Sequence, residues 1–98
     1  MSAYVVVTRE KTRDAAEIEQ YKQLTPPSFK EHPAITRAIH GRTAVFEGSA
    51  VEDIVILEFP TGEDAKAWYH GSVYQAASKY RHQGGDYRFI LTEGTSAH

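Results

Sequence analysis

The chain holds five histidines, four of them internal, and histidine is the side chain that most readily gains and loses a proton near neutral pH. His40 follows Ile39 in a segment that reads as a β-strand, so its side chain points to one defined face of a sheet. On a face covered by helices, His40 would line a pocket and act as a general base; otherwise it is exposed to solvent or lies at a subunit edge. His32, which precedes Pro33, either contacts a ligand or caps a backbone carbonyl.

Three aromatic side chains, Trp68, Tyr69 and Tyr74, flank a break in the helical periodicity of the second half of the chain. Helical spacing alone places most such aromatics in a core, and a small chain needs their bulk. The break also lets the two helical segments converge, which predicts that these aromatics contact a ligand and that a phenol lies at a cavity mouth. Arg81, further along, either complements the helix dipole or binds an anionic ligand.

The spacing of potential metal ligands is poor. The chain has no cysteine, His32 and His40 are eight residues apart, and His70 and His82 are twelve apart. No glycine-rich phosphate loop, dinucleotide fingerprint or Gly-x-Ser-x-Gly turn is present. We therefore predict no metal and no organic cofactor, and haem held by a single histidine is the alternative left open.

Length and composition indicate a single globular domain, residues 1–98, with 93–98 as a flexible tail. The chain has 98 residues, 41% hydrophobic and 24% charged, which excludes disordered and fibrous classes. No apolar run approaches the roughly 20 residues that span a bilayer, and no secretory signal opens the sequence. The net charge of -2 disfavours binding to a nucleic acid backbone. We expect a cytoplasmic protein that binds neither membrane nor nucleic acid.

Strand-like and helical segments alternate along the chain. The predicted strands are 3–8, 35–46, 54–59 and 87–92, and the predicted helices are 14–24, a short turn over 25–30, and a region that runs from Thr61 to Gly84-Gly85 with a break at His70-Gly71. Residues 9–14 read as a turn. Thr61-Gly62-Glu63-Asp64 fits a loose capping pattern, and Ser72-Val73-Tyr74-Gln75 is a capping box. Gly84-Gly85 predicts a left-handed helix cap.

This order predicts an α+β ferredoxin-like fold, βαββαβ, with a four-stranded antiparallel sheet and both helical regions on one face. Segments 54–57 and 4–7 carry apolar residues in both alternation classes, although a sheet with one wet face should alternate. Two helices cover only one face. We therefore expect the same face of a second subunit to cover the other, giving a homodimeric α+β barrel.

Nearly the whole chain resembles a known family of small bacterial proteins, and the resemblance is fairly specific in the second half. The motifs that carry the resemblance are Glu58-Phe59-Pro60, Ala67-Trp68-Tyr69, Ser72-Val73-Tyr74-Gln75 and Arg81. They resemble the family called domain of unknown function thirteen-thirty, within the dimeric α+β barrel superfamily. The resemblance implies the fold and the dimer, and it implies no activity.

The chain departs from the family pattern around the second predicted strand. Relatives usually carry a His-Gly-Gly turn and later an Arg-Gly-Gly, whereas this chain has His32-Pro33-Ala34 and His40-Gly41-Arg42. The comparison places an imidazole at or near the position of a guanidinium. It implies that this member has a specialised ligand.

Two functions fit these residues. The first is a small-molecule enzyme without organic cofactor, acting on an enolisable or phenolic compound by acid–base or oxygen-dependent chemistry. His40 would be its base, Tyr69 a proton donor and Arg81 a stabiliser of negative charge. The second is a non-catalytic, ligand-binding or stress-associated dimer. RNA binding is disfavoured, because the strand that would need stacking aromatics, 54–59, is aliphatic and acidic.

Overall fold

The computed structural model describes residues 2–95. Its elements are β1 (Ala3–Thr12), α1 (Ala15–Leu24), a 3₁₀ turn (Pro26–Phe29), β2 (Ile35–Ile39), β3 (Asp53–Phe59), α2 (Gly62–His70), α3 (Ser72–Gly84) and β4 (Gly85–Glu93). The four strands form one antiparallel sheet in the order β2-β3-β1-β4. This order and the two split βαβ units confirm the predicted ferredoxin-like α+β fold.

The two faces of the sheet differ in what covers them. Val5 and Val7 alternate with less buried residues along β1 and join Trp68 in the core, so this is the face beneath the helices. We call the opposite side the open face; it carries Tyr4, Val6, Ile54, Ile56 and Ile90, which the strand register brings together. No helix within residues 2–95 is long and apolar enough to cross a membrane.

Capping explains where α1 and α2 begin. The Asp14 side chain accepts a hydrogen bond from the Ala16 amide at 3.0 Å, which satisfies a donor that the helix itself leaves free. Thr61 accepts one from the Asp64 amide at 3.1 Å, which confirms the predicted cap of α2.

The predicted break at His70-Gly71 is confirmed, but the predicted capping box at Ser72 is wrong. Gly71 is extended and is itself the N-cap of α3, without a side-chain hydrogen bond. The side-chain amide of Gln75 instead donates from Nε2 to the Tyr69 carbonyl at 2.7 Å. Gln75 therefore ties α3 to the last turn of α2.

The left-handed cap predicted at Gly84-Gly85 is also wrong. Gly85 has φ -174°, an extended conformation open to any residue. The glycines serve close packing: a Cβ on Gly84 would lie 2.6 Å from Ile18 Cγ1, and one on Gly85 would lie 2.4 Å from the Lys11 carbonyl oxygen. Helix α3 thus approaches α1, and β4 approaches β1, too closely for a side chain.

Two strand boundaries differ from the prediction in a way that shapes the site. Strand β1 continues to Thr12 instead of turning at Arg9, which pairs with Asp53 on one side and Tyr87 on the other. Strand β2 ends at Ile39 instead of Phe46, because His40 adopts a left-handed backbone with φ 52°. The following residues, 41–52, form no helix or strand and are mostly exposed.

The tail predicted for 93–98 lies partly outside the described residues. Glu93 belongs to β4, and the Gly94 amide donates to the Ser2 carbonyl at 2.7 Å. Residues 96–98 are outside the described part of the chain, so for them the tail stays a prediction.

Candidate functional site

A cavity of about 380 Å³, which we call the main cavity, lies between the covered face of the sheet and the α1 side of the helical layer. Its body is apolar and aromatic, formed by Val7, Phe29, Val55, Leu57, Trp68 and Phe89. Such a lining with a few polar groups is typical of sites for small organic molecules.

The polar end of the main cavity holds His40 against Asp53. The imidazole Nδ1 lies 2.6 Å from Asp53 Oδ2. Because a carboxylate can only accept, Nδ1 carries the shared proton, and Nε2 of a neutral imidazole is left with its lone pair. The Asp53 side chain is 13% exposed and that of His40 44%, so the carboxylate is shielded while the ring stays accessible.

Backbone geometry sets up this pair. The His40 amide donates to the Ile54 carbonyl at 3.2 Å, which holds the residue after β2 beside the start of β3. The left-handed φ of His40 is uncommon for a residue with a Cβ, and such conformations concentrate at functional sites.

Arg9 brings a positive charge to the same end of the main cavity. Its Nε lies 3.4 Å from Glu52 Oε1, and its register neighbour on β3 is Asp53. Burial opposes its charged form, but contact with Tyr87 and the charges of Asp53 and Glu52 outweigh burial and raise the pKa of Arg9. The guanidinium is therefore a permanent cation beside the His40–Asp53 pair.

Tyr21 adds a phenol to the wall of the main cavity. Its hydroxyl lies 2.8 Å from that of Tyr74, whose side chain is fully buried. Burial is the main cause that raises the pKa of both tyrosines, so both are neutral phenols at neutral pH. Tyr74, which was expected to contact a ligand, does not line this cavity, because its ring packs inside the core.

Trp68 separates the main cavity from a second one of about 250 Å³. Its Nε1 donates to Ser28 Oγ at 2.8 Å and its ring stacks on Phe29 at 5.1 Å, so the 3₁₀ turn fixes its orientation. Tyr69 and His70 line only the second cavity.

The sequence-predicted site residues therefore do not converge on one cavity. His40 and Trp68 line the main cavity and Tyr69 lines the second. Arg81 is 5% exposed and lies in the core, with its guanidinium carbon 4.4 Å from the Phe89 ring centroid. His32 is half-buried and lines neither cavity.

Among the residues of the main cavity that the sequence did not predict, Arg9, Tyr21 and Asp53 supply polar groups to the site. Asp53 is the polar residue that opens β3, and pairing β2 with β3 as a hairpin would have placed it near His40. Arg9 was not predicted as a cavity residue, because β1 was expected to end at Thr8. Within residues 2–95, no group of three or more histidine, aspartate or glutamate side chains is placed to hold a metal ion.

Three solved structures resemble this one at low sequence identity. A protein of unknown function from Rhodopseudomonas palustris is 16% identical with a TM-score of 0.75, over 98% of this chain and 84% of that one. A dimeric protein of unknown function and ferredoxin-like fold from Bacteroides fragilis is 20% identical with a TM-score of 0.51, over 95% and 96%. SnoaB, a cofactor-independent oxygenase from Streptomyces nogalater, is 10% identical with a TM-score of 0.68, over 98% and 95%. Identities this low show a common fold and nothing about activity.

A search of curated protein sequences found no match. One family model, described as Domain of unknown function (DUF1330), matches residues 2–95. The match spans nearly the whole chain and agrees with the motifs around Trp68 and Arg81. The protein belongs to this family.

Proposed function

We propose that the protein is a small-molecule enzyme without organic cofactor that moves a proton at carbon in an enolisable or phenolic compound. The observation that carries the proposal is the 2.6 Å contact of His40 Nδ1 with Asp53 Oδ2 at the polar end of an apolar cavity. This arrangement orients an imidazole and leaves Nε2 as a base, which proton abstraction next to a carbonyl requires.

The proposed step moves one proton and no net electrons. Nε2 of His40 takes the proton from the carbon next to the carbonyl, and the C–H electron pair forms a carbon–carbon double bond. The carbonyl π electrons move to oxygen, and the resulting enolate faces the positive charge of Arg9. Return of the proton from the imidazolium to carbon restores the base.

The aromatic lining of the main cavity favours a planar substrate. Phe29, Trp68 and Phe89 present ring surfaces to it, and rings pack well against rings. Oxygen-dependent oxidation of such a compound would begin with the same deprotonation. The likeness to SnoaB is an analogy of fold, and it agrees with chemistry that needs no cofactor.

We further propose that the working unit is a homodimer joined through the open face. Apolar residues Val6, Ile54 and Ile56 lie there without a covering helix. The Bacteroides fragilis protein of the same fold is dimeric, which supports this assembly. A cytoplasmic location stays a prediction.

Exchange of benzylic protons of phenylpyruvate in deuterated water, followed by proton nuclear magnetic resonance, tests the proposed step. The native protein should accelerate the exchange, and His40→Ala should reduce it about 100-fold or more, as expected for loss of a general base. Lys79→Gln, a change at an exposed position of α3, is the control and should leave the rate unchanged.

The same assay separates the enzyme from its alternative, a non-catalytic ligand-binding dimer. Phenylpyruvate that binds without any acceleration of exchange would favour the non-catalytic function. Exchange that survives in His40→Ala would contradict the role of His40.

A further inference from the structure

Arg81 is a buried cation that meets no counter-charge in the described part of the chain. It is 5% exposed, and its Nε has no hydrogen-bond partner among residues 2–95. Among residues 2–95 no carboxylate forms an ion pair with it, and its one side-chain hydrogen bond is with His82 Nε2 at 3.4 Å. Burying a charge in this way costs folding free energy unless something offsets it.

The side chains packed around Arg81 are neutral. The rings of Phe89 and Tyr87 on β4 lie 4.4 Å and 5.6 Å from its guanidinium carbon. Its charge also acts on Tyr21 and Tyr74, whose raised pKa values keep them protonated. Burial and Arg81 together lower the pKa of His82, so this neighbour is neutral at neutral pH.

Arg81 lies directly behind the wall of the main cavity. Two of its neighbours, Tyr87 and Phe89, line that cavity, and the Tyr87 ring lies 6.1 Å from the ring of Tyr21 on the same wall. Its positive charge is therefore separated from a bound molecule by one layer of side chains, in surroundings where water screens little. The Tyr21 and Tyr74 hydroxyls share one hydrogen bond in which either group can donate; where Tyr74 donates, the Tyr21 proton is free for a ligand on this wall.

Other charges on the main cavity also favour an anion. Arg9 and Lys22 line it; within residues 2–95, Arg9 Nε makes no hydrogen bond, although it lies 3.4 Å from Glu52 Oε1. Asp53 is the only carboxylate that the described residues bring to the lining, and it contacts His40.

We propose that the main cavity selects an aromatic ligand that carries an anionic oxygen, with Tyr21 as its donor and Arg81 as a positioning residue that acts through the tyrosine pair. This inference rests on the proposed function and deepens it by naming the charge of the substrate class. The anionic oxygen is either a permanent carboxylate or the oxygen of an enolate. Arg81 thereby stabilises charge that it does not touch.

Binding of two matched probes tests the inference. Phenylpyruvate carries a carboxylate and phenylacetone does not. The single tryptophan, Trp68, lines both cavities, so its fluorescence reports binding, and Tyr21→Phe, a change in the main cavity alone, shows which cavity is occupied. The native protein should bind phenylpyruvate about tenfold more tightly or better, the order expected for hydrogen bonds to a charged group.

Variants of Arg81 assign the preference. Arg81→Gln should lower the affinity for phenylpyruvate and leave the affinity for phenylacetone unchanged, so that the two become similar. Arg81→Lys should retain most of the preference for phenylpyruvate. Lys79→Gln removes an exposed charge from the same helix and should change neither affinity. Tyr21→Phe should lower the affinity for phenylpyruvate alone.

Equal affinities in the native protein would overturn the inference, and this comparison needs no variant to fold. A preference that persists in folded Arg81→Gln would overturn the role of Arg81. Because binding is measured without turnover, a preference for phenylpyruvate without deuterium exchange would contradict only the proposed enzymatic activity. Exchange without a charge preference would contradict only this inference.

Where phenylpyruvate is preferred, a third probe distinguishes the two sources of the anionic oxygen. 4-Nitrophenol has no carboxylate and is ionised at mildly alkaline pH, so its phenolate presents an enolate-like anionic oxygen. Binding of this phenolate that weakens in Arg81→Gln identifies the site with the enolate oxygen, and binding that does not weaken identifies it with the carboxylate.

Discussion

His40 and Asp53 show how a side-chain pair gains a chemical role from its surroundings. The carboxylate is nearly buried and the imidazole is half-exposed, so one partner orients and the other reacts. Asp53 fixes the ring by accepting from Nδ1, which leaves the opposite nitrogen for a substrate. The pair is therefore better suited to catalysis than an isolated surface histidine.

Replacement of Asp53 by asparagine tests the orientation of the imidazole. The amide can donate to Nδ1 and so favours the wrong tautomer, with the proton on Nε2. Deuterium exchange should fall about 100-fold or more while His40 stays in place, the scale of a lost general base. Circular dichroism should report an unchanged fold, and a native exchange rate in Asp53→Asn would contradict the pairing.

Tyr74 should make the protein less stable as the pH rises into the alkaline range. Its burial, the main cause, raises its pKa above the ordinary value of 10.0. Above pH 10 the unfolded chain loses this proton and the folded chain keeps it, so the free energy of unfolding should fall as pH rises. Urea denaturation between pH 9 and about 11 measures the slope.

Tyr74→Phe is the matched variant for this slope. It removes the ionisable hydroxyl together with the hydrogen bond to Tyr21, so it should be less stable at neutral pH. Its free energy of unfolding should nevertheless fall less steeply at alkaline pH. An equal slope in both proteins would show that Tyr74 does not resist ionisation.

At the scale of elements, the sequence predicted features that depend on local contacts better than features that depend on tertiary packing. Thr61 caps α2 as expected because a threonine hydroxyl needs only its own chain to bond the Asp64 amide. Ser72 does not cap α3, because Gln75 finds a partner in the Tyr69 carbonyl of the preceding helix. That competing partner is a tertiary contact, which a four-residue motif does not contain.

The candidate site shows the same division. Apolar residues in both alternation classes of β1 and β3 predicted that both faces of the sheet are covered, but not which face carries the cavity. His40 was found because of its residue type. Its partner Asp53 lies thirteen residues further along the chain, after segment 41–52. The left-handed backbone of His40, which precedes that segment, has no sequence signature. Arg81 was expected to touch a ligand, yet its cation–aromatic packing depends on β4.

Gly84 tests the close approach of α3 to α1. A Cβ there would meet Ile18 Cγ1 at 2.6 Å and the Ile18 amide nitrogen at 3.0 Å, so Gly84→Ala must move one helix. We expect a loss of about 1–3 kcal/mol in the free energy of unfolding, as for other overpacked sites. Urea denaturation measures it.

Gly62 is the matched control for Gly84. A Cβ at Gly62, in the first turn of α2, would meet nothing within 4 Å. Gly62→Ala should therefore be neutral or stabilise the protein by up to about 1 kcal/mol. Equal effects at both positions would argue that backbone flexibility, and not helix packing, accounts for the loss in Gly84→Ala.

At the scale of the whole molecule, the open face remains to be covered. Val6, Ile54 and Ile56 form the centre of a sheet surface without helices, and a soluble monomer rarely leaves such a patch exposed. A twofold pairing of two open faces would bury it and form a closed barrel. The main cavity lies on the other side of the sheet, so each subunit would keep its own site.

Ile56→Lys tests this assembly. A lysine at the centre of the open face should dissociate the dimer or prevent folding, because its charge would be buried without a partner. Light scattering should give twice the chain mass of 11.0 kDa for the native protein. Val73→Lys, at a position of α3 that is 50% exposed, should leave the dimer intact. A native protein that is a stable monomer would contradict the assembly.

Nitrogen-15 nuclear magnetic resonance of the histidine rings tests the central claim most directly. In protein labelled at its five histidines, with His40 assigned by comparison with His40→Gln, the correlation pattern shows which ring nitrogen carries the proton. We predict a protonated Nδ1 and a free Nε2 in the neutral ring, and a shift of the Nε2 resonance when phenylpyruvate binds. A proton on Nε2, or a His40 ring that does not respond to the bound ligand, would contradict the assignment of His40 as the base of this site.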